Sequence, residues 1–225
     1  DVVVLDHVGE PGFEGCEDWD TYIGRLAERL DADASRRGRD VIIVAHSHGA
    51  LPAYGLAKRL GKRCRKLYPI ARRPPTMGLL DDVWGVDAAP RLAELDDGEL
   101  LRRMLDAWPN EMLERFRGKS PLPATIQEVL DVVRRQYSSP VVPCGSADAP
   151  AAYAADGELA IEAPILAVAA SLEQPQAETA ARMEGWREFT RSDFQLRTVE
   201  SSHMKILDNE LFDIVFGDIT SSIAR

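Results

Sequence analysis

The chain has 225 residues, 45% hydrophobic and 28% charged, which suits one domain with a sizeable core. Its net charge of −10 argues against a nucleic-acid footprint over the whole surface, and no apolar run approaches the roughly 18 residues of a membrane span. Cys16, Cys64 and Cys144 are scattered and odd in number, so they read as packed or incidental thiols, not as a disulfide framework or a metal-ligand set.

Val2-Val3-Val4-Leu5 is a short continuous apolar run and reads as a strand buried on both faces. It lacks the basic n-region and cleavage site of a signal peptide, so the expected location is cytoplasmic by default. Asp18 can cap a helix with Tyr22, Ile23, Leu26, Ala27 and Leu30 on one face. Arg36 to Asp40 is a polar turn. Val41-Ile42-Ile43-Val44 is a second strand expected to be buried, and it runs directly into Ala45-His46-Ser47-His48-Gly49. A helix is expected from about His48 to Leu60, stopping at Gly61 as its C′ residue. Lys66 to Ala71 is a third strand, closed by Arg72-Arg73-Pro74-Pro75. Strand, helix and strand at this spacing imply parallel pairing through a right-handed crossover.

Residues 77–143 change pattern and become helical, with Pro109, Pro121 and Pro123 as breaks. Leu100, Leu101, Met104, Leu105 and Trp108 share one face; Ile126, Val129, Leu130, Val133 and Tyr137 share another. This stretch is expected to be a lid inserted into an α/β core of 1–76 and 144–225; ordinary sheet-covering helices are the alternative. The α/β pattern resumes with a strand at Pro164–Val168 and a helix carrying Ala177, Ala180, Ala181, Met183, Trp186 and Phe189. Phe194–Val199 is the last strand, followed by a loop at Ser201-Ser202-His203 and a terminal helix with Ile206, Leu207, Leu211, Ile214 and Val215.

The chemistry centres on Val41 to Gly49, which matches a nucleophile elbow, G-x-S-x-G between strand and helix. The turn is tight, so residues two either side of the serine must be small; Gly49 satisfies this, and Ala45 adds one methyl. Such a turn exposes the Ser47 hydroxyl and directs the backbone N–H of His48 toward an oxyanion. The alternative is a serine in an ordinary βα turn. Four histidines compete for the base. His46 and His48 flank the serine and read as packing or rim residues, and His7 has no sequence partner. His203 follows the last strand, where a Ser, acid, His chain order delivers its base.

Ala45-His46-Ser47-His48-Gly49-Ala50-Leu51 resembles the nucleophile motif of type II thioesterases of polyketide and nonribosomal peptide assembly lines. Ala71 to Pro75 resembles their post-strand segment, and Trp186 to Thr190, Phe194 to Arg197 and His203 resemble their closing third. The similarity runs from Glu10 to the terminal helix. It implies an α/β-hydrolase fold with a mostly parallel sheet and a helical lid over an acyl chamber. It also implies hydrolysis of thioesters on phosphopantetheine arms and an acyl or peptidyl carrier protein as partner; no cofactor or metal is expected, and no nucleic-acid or membrane partner. Ala45 replaces the family's glycine, and His48 stands at a position usually apolar. Family members begin with further strands and a glycine-rich loop donating the second oxyanion N–H, so the polypeptide is expected to extend upstream of Asp1.

The resemblance also suggests the triad acid. Ala169-Ala170-Ser171-Leu172-Glu173 fills the place of the family's Gly-x-x-Asp segment, which makes Glu173 the candidate. Lys66 to Pro75 holds no carboxylate, Asp193 precedes the last strand, and Asp208 falls on the terminal helix. A solvent-facing Glu173 beside a Ser–His dyad is the alternative. The cations Lys58, Arg59, Lys62, Arg63, Arg65 and Lys66 could steer an acidic carrier, or simply complement a helix C-terminus. Two other functions remain open at this point: a small-molecule esterase or lipase of the same fold, and a catalytically inactive interaction domain.

Overall fold

The computed structural model describes residues 16–35, 37–77, 92, 94–138, 153, 158–172, 180–203, 205–207 and 209–223. The strand expected at Val2–Leu5, with His7, Cys144, Glu173, Ala177 and Asp208, lies outside the described residues.

Helix α1 (Trp19–Leu30) begins where the Asp18 carboxylate accepts the Thr21 N–H at 2.8 Å, satisfying one of the first-turn donors that no carbonyl can reach. Its Tyr22, Ile23, Leu26 and Leu30 face the core. Strand β1 (Val41–His46), helix α2 (Ala50–Leu60) and strand β2 (Cys64–Ile70) form the expected crossover, with a 3₁₀ turn at Ser47–Gly49 joining β1 to α2. Gly61 ends α2 at φ 54° and ψ −127°, a conformation that side chains with a Cβ rarely adopt. Strands β3 (Ile165–Ala170) and β4 (Phe194–Val199) complete a sheet of order β1-β2-β3-β4. Every pairing is parallel, so all four C-terminal ends share one edge.

Both faces of the central strands are covered. Ile165, Ala167 and Ala169 of β3 join the large cluster that includes α1 and α2. Leu166, Val168 and Ala170, alternating with them, join a second cluster with Leu211 and Val215 of the terminal helix. Strand β1 differs from the doubly buried expectation: Ile42 is 36% exposed and Val44 is 49% exposed. These two residues lie on the face of Tyr68, their neighbour in register on β2. There the second cluster covers β2 and β3 and does not extend over β1, the edge strand among the described residues.

Between β2 and β3 stand α3 (Asp97–Ala107), α4 (Glu111–Glu114) and α5 (Ala124–Ser138). Asp96 caps α3 through the Glu99 N–H at 2.9 Å, and Asn110 caps α4 through the N–H groups of Met112 and Leu113. Leu100, Leu101, Met104 and Leu105 of α3 and Ile126 and Leu130 of α5 are buried as the periodicity predicts, whereas Val129 is 41% exposed. Arg134 of α5 fastens the start of α3, reaching the Leu95 carbonyl at 2.9 Å and the Asp97 carboxylate at 2.7 Å.

The helix expected around Trp186 is divided into α6 (Ala180–Met183) and a 3₁₀ segment, Glu184–Phe189, that buries Trp186 and Phe189. The terminal helix α7 (Asn209–Ile223) starts later than its apolar spacing suggested, because Ile206 and Leu207 belong to a separate 3₁₀ turn. Among the described residues, no helix is long and apolar enough to cross a membrane.

Candidate active site

Ser47 has φ 54°, in the left-handed region that costs a residue with a Cβ roughly 1–2 kcal/mol. The turn from β1 into α2 imposes that conformation, and the small Ala45 and Gly49 flank it. Ala71 repeats the feature one strand away, with φ 48°. His46 pairs with Ile70 in the β1–β2 register, so Ser47 and Ala71 leave the sheet at the same level. The segment after Ala71 is held by Trp186, whose Nε1–H donates to the Arg72 carbonyl at 2.6 Å. Arg72 and Arg73 are buried there.

His203 arrives from the loop after β4. Its Nε2 lies 2.8 Å from Ser47 Oγ, and the residue is 8% exposed. With the hydroxyl donating, Nε2 accepts and the imidazole proton sits on Nδ1. This is the arrangement in which a serine can lose its proton to the ring as it attacks. The backbone of this loop is tied to β3, because the N–H groups of Ser171 and Leu172 donate to Val199 O and Ser201 O at 2.8 and 3.0 Å.

Two further rings border His203. The His46 ring centroid is 4.8 Å away, and its Nε2 lies 2.9 Å from the His203 carbonyl oxygen. Burial, with a smaller contribution from His203, pushes the His46 pKa down to about 4. His46 is therefore neutral at pH 7. The Trp108 ring, at the end of α3, lies 5.9 Å from His203 on the side of the inserted helices. Lys205, two residues beyond His203, meets Glu111 of α4 at 3.2 Å. Sequence reasoning placed His46 among packing or rim residues and Trp108 only on a helix face. Adjacency to the serine was the available signal for His46, and the single indole closing an apolar helix face was the signal for Trp108.

His48 is buried, in keeping with a packing role for its ring, and its backbone N–H follows Ser47 in the turn. Asp193 lies at the N-terminal edge, where its carbonyl accepts the N–H of Ile165, the first residue of β3. Glu173 is outside the described residues; the chain reaches Leu172 next to it. Among the described residues, no group of three or more His, Cys, Asp and Glu side chains could hold a metal ion.

The basic cluster has other occupations. Lys58 Nζ donates to the Tyr153 and Glu158 carbonyls, Arg63 forks onto Asp31 at 2.9 and 2.8 Å, and Lys66 meets Asp218 at 2.6 Å. Arg63 precedes β2 and Lys66 is its third residue, so at about 3.3 Å per residue they stand roughly 23 and 13 Å from the end of β2 at the Ser47 edge. Lys58 thus ties α2 to the residues before β3, Arg63 ties the turn before β2 to the end of α1, and Lys66 ties β2 to α7. They do not surround the serine.

The chain resembles several solved structures in fold. Against the RedJ thioesterase of the prodiginine biosynthetic pathway in Streptomyces coelicolor it is 20% identical, with a TM-score of 0.63 over 91% of this chain and 68% of that one. Against BorB, the type II thioesterase of the borrelidin biosynthetic cluster, it is 21% identical, with a TM-score of 0.58 over 91% and 70% of the two chains. A thermophilic esterase is 16% identical, with a TM-score of 0.60 over 92% and 74%. No curated protein matches the chain. Residues 1–210 match the Alpha/beta hydrolase family, in accord with the parallel sheet and the serine turn after β1, and the chain belongs to that family.

Proposed function

We propose that the protein is a serine thioesterase that removes acyl chains from the phosphopantetheine arms of acyl or peptidyl carrier proteins. The observation that carries this reading is the 2.8 Å contact between His203 Nε2 and Ser47 Oγ on a left-handed strand-to-helix turn. The fold likeness to RedJ and BorB supports the choice of thioester over other acyl compounds.

In this reading His203 takes the Ser47 proton as Oγ attacks the thioester carbonyl, and the His48 N–H helps to hold the oxyanion. The tetrahedral intermediate collapses, the C–S bond breaks, and His203 returns its proton to the departing thiolate. Water then attacks the acyl-serine with His203 again as base, releasing the carboxylic acid and free Ser47. Glu173 would orient the imidazole, and the inserted helices α3 to α5 would act as a lid. The chemistry calls for no resident cofactor or metal, and the proposal includes a cytoplasmic location.

A second reading, a small-molecule esterase, draws on the comparable fold likeness to the thermophilic esterase. The test compares hydrolysis of an acyl-phosphopantetheinyl carrier protein with that of a simple aryl ester of the same acyl chain. Thioesterase function predicts a clear preference for the carrier-bound chain and its loss in Ser47→Ala, where removal of a nucleophile costs about 10⁶ in kcat. Preference for the aryl ester selects the second reading, and retained activity in Ser47→Ala removes both.

A further inference from the structure

The sheet order sets a positioning problem. Ser47 follows β1 and His203 follows β4, with β2 and β3 between them. At about 4.8 Å per strand, their parent strands are roughly 14 Å apart, so no strand pairing registers the base against the nucleophile. The Ser171 and Leu172 N–H groups attach the β4 loop to β3, and the Ile206 N–H bonds back to Ser202. None of these three bonds reaches β1.

His46 does. It is the last residue of β1, and its Nε2 lies 2.9 Å from the His203 carbonyl oxygen. A carbonyl only accepts, so the His46 proton must be on Nε2, with Nδ1 bare. The consecutive residues His46 and Ser47 thus hold His203 at two points, one on its backbone and one on its ring. We propose that His46 is a positioning residue that clamps the backbone of His203, setting the Nε2 to Oγ distance across the two intervening strands. The inference rests on the reading of Ser47 and His203 as nucleophile and base. Because burial keeps His46 neutral, the clamp adds no second cation beside the imidazolium that forms at His203.

The experiment compares His46→Gln with His46→Met. Gln places an amide N–H close to the position of the imidazole Nε2, whereas Met matches its length without a donor. Both are assayed for fold by circular dichroism, for Ser47 labelling by a fluorophosphonate, and for kcat and KM on an acyl thioester. Gln is expected within about threefold of the parent. Met is expected to lose roughly 10–100-fold in labelling rate and kcat with KM unchanged, the scale of one lost buried hydrogen bond. A folded Met variant that labels and turns over like the Gln variant overturns the clamp while the parent's labelling leaves the nucleophile reading intact. A parent that takes no label at Ser47 overturns both. If the Met variant does not fold, His46→Asn, one methylene too short to reach, takes its place with the same expected loss and the same overturning result.

Discussion

The indole of Trp108 lies against the imidazole of His203, with ring centroids 5.9 Å apart and planes inclined by 39°. Trp108 is the residue at which α3 ends, so the apolar face of an inserted helix terminates on the proposed base. Removing the indole would open that side of His203 and, under the proposed function, delete part of the wall that a long acyl chain would use. Trp108→Ala is expected to raise KM for a long-chain acyl thioester by about 5–10-fold, the effect of about 1–1.5 kcal/mol from a half-buried aromatic surface. An acetyl thioester should be nearly unaffected. Equal losses on both substrates would assign Trp108 to His203 itself and not to chain binding.

The backbone positions can be tested separately from the chemistry. At Gly61 an added Cβ would meet nothing within 4 Å, so any cost of Gly61→Ala is conformational. With φ 54° and ψ −127°, that cost should be about 1–3 kcal/mol, read as a lower denaturation midpoint with unchanged turnover by the folded enzyme. Gly55 presents the opposite case, because a Cβ there would come within 2.4 Å of Trp19 and 2.8 Å of Ile23. Gly55→Ala should destabilise by pushing α1 from α2, again by about 1–3 kcal/mol. A Gly61→Ala protein as stable as the parent would contradict the strained α2 terminus.

Much of the core was legible because its signals are local. Asp18 as a cap, Gly61 as a stop and Phe194–Val199 as a strand each follow from a few neighbouring residues, and the structure has them there. The Ser47–His203 pairing was legible for a different reason: elbow and terminal histidine come in a fixed chain order. What stayed hidden depends on long-range packing. Ile42 and Val44 looked buried because a four-residue aliphatic run cannot say which strand lies at the edge among the described residues. The pairings of Arg63 with Asp31 and of Lys66 with Asp218 span 32 and 152 residues, and Lys58 reaches the Tyr153 carbonyl 95 residues on, so nothing in their sequence neighbourhood announces them. The contact of His46 with His203 stayed hidden for the same reason, since the two lie 157 residues apart along the chain.

His46 also predicts a pH dependence of stability. Its pKa falls from 6.5 in the unfolded chain to about 4 in the fold, chiefly through burial. Protonation therefore favours unfolding. The contribution of neutral His46 is complete above about pH 6.5, declines as the pH falls, and is lost by about pH 4, where both states carry the proton. At about 1.4 kcal/mol per pKa unit the loss is on the order of 3 kcal/mol. The carboxylates of Asp31 and Glu99, held below their ordinary range by arginine hydrogen bonds, act at lower pH. Urea midpoints measured from pH 7 to 4 should fall more steeply for the parent than for His46→Gln. Parallel slopes would mean that His46 is not kept neutral by the fold.

Glu173 is the proposed third member of the site, and its test turns on the junction between β3 and the base loop. Leu172, its chain neighbour, donates its N–H to Ser201 O at 3.0 Å, two residues before His203. The C-terminal edge of β3 and the loop carrying His203 are thus one hydrogen-bonded unit, on the same edge as Ser47. Asp193, at the opposite edge, cannot serve, and residues 66–75 contain no carboxylate. A carboxylate accepting the His203 Nδ1 proton would fix the tautomer that leaves Nε2 free for the serine and would stabilise the imidazolium. Glu173→Gln removes that charge at nearly constant size. It should leave the denaturation midpoint unchanged while lowering kcat by up to about 10⁴, the scale for a neutralised triad acid. KM should change little, since the acid acts through His203 and not on the substrate. Near-normal turnover in Glu173→Gln would reduce the site to Ser47 and His203, with the His46 bond to the base backbone as the remaining restraint on the imidazole.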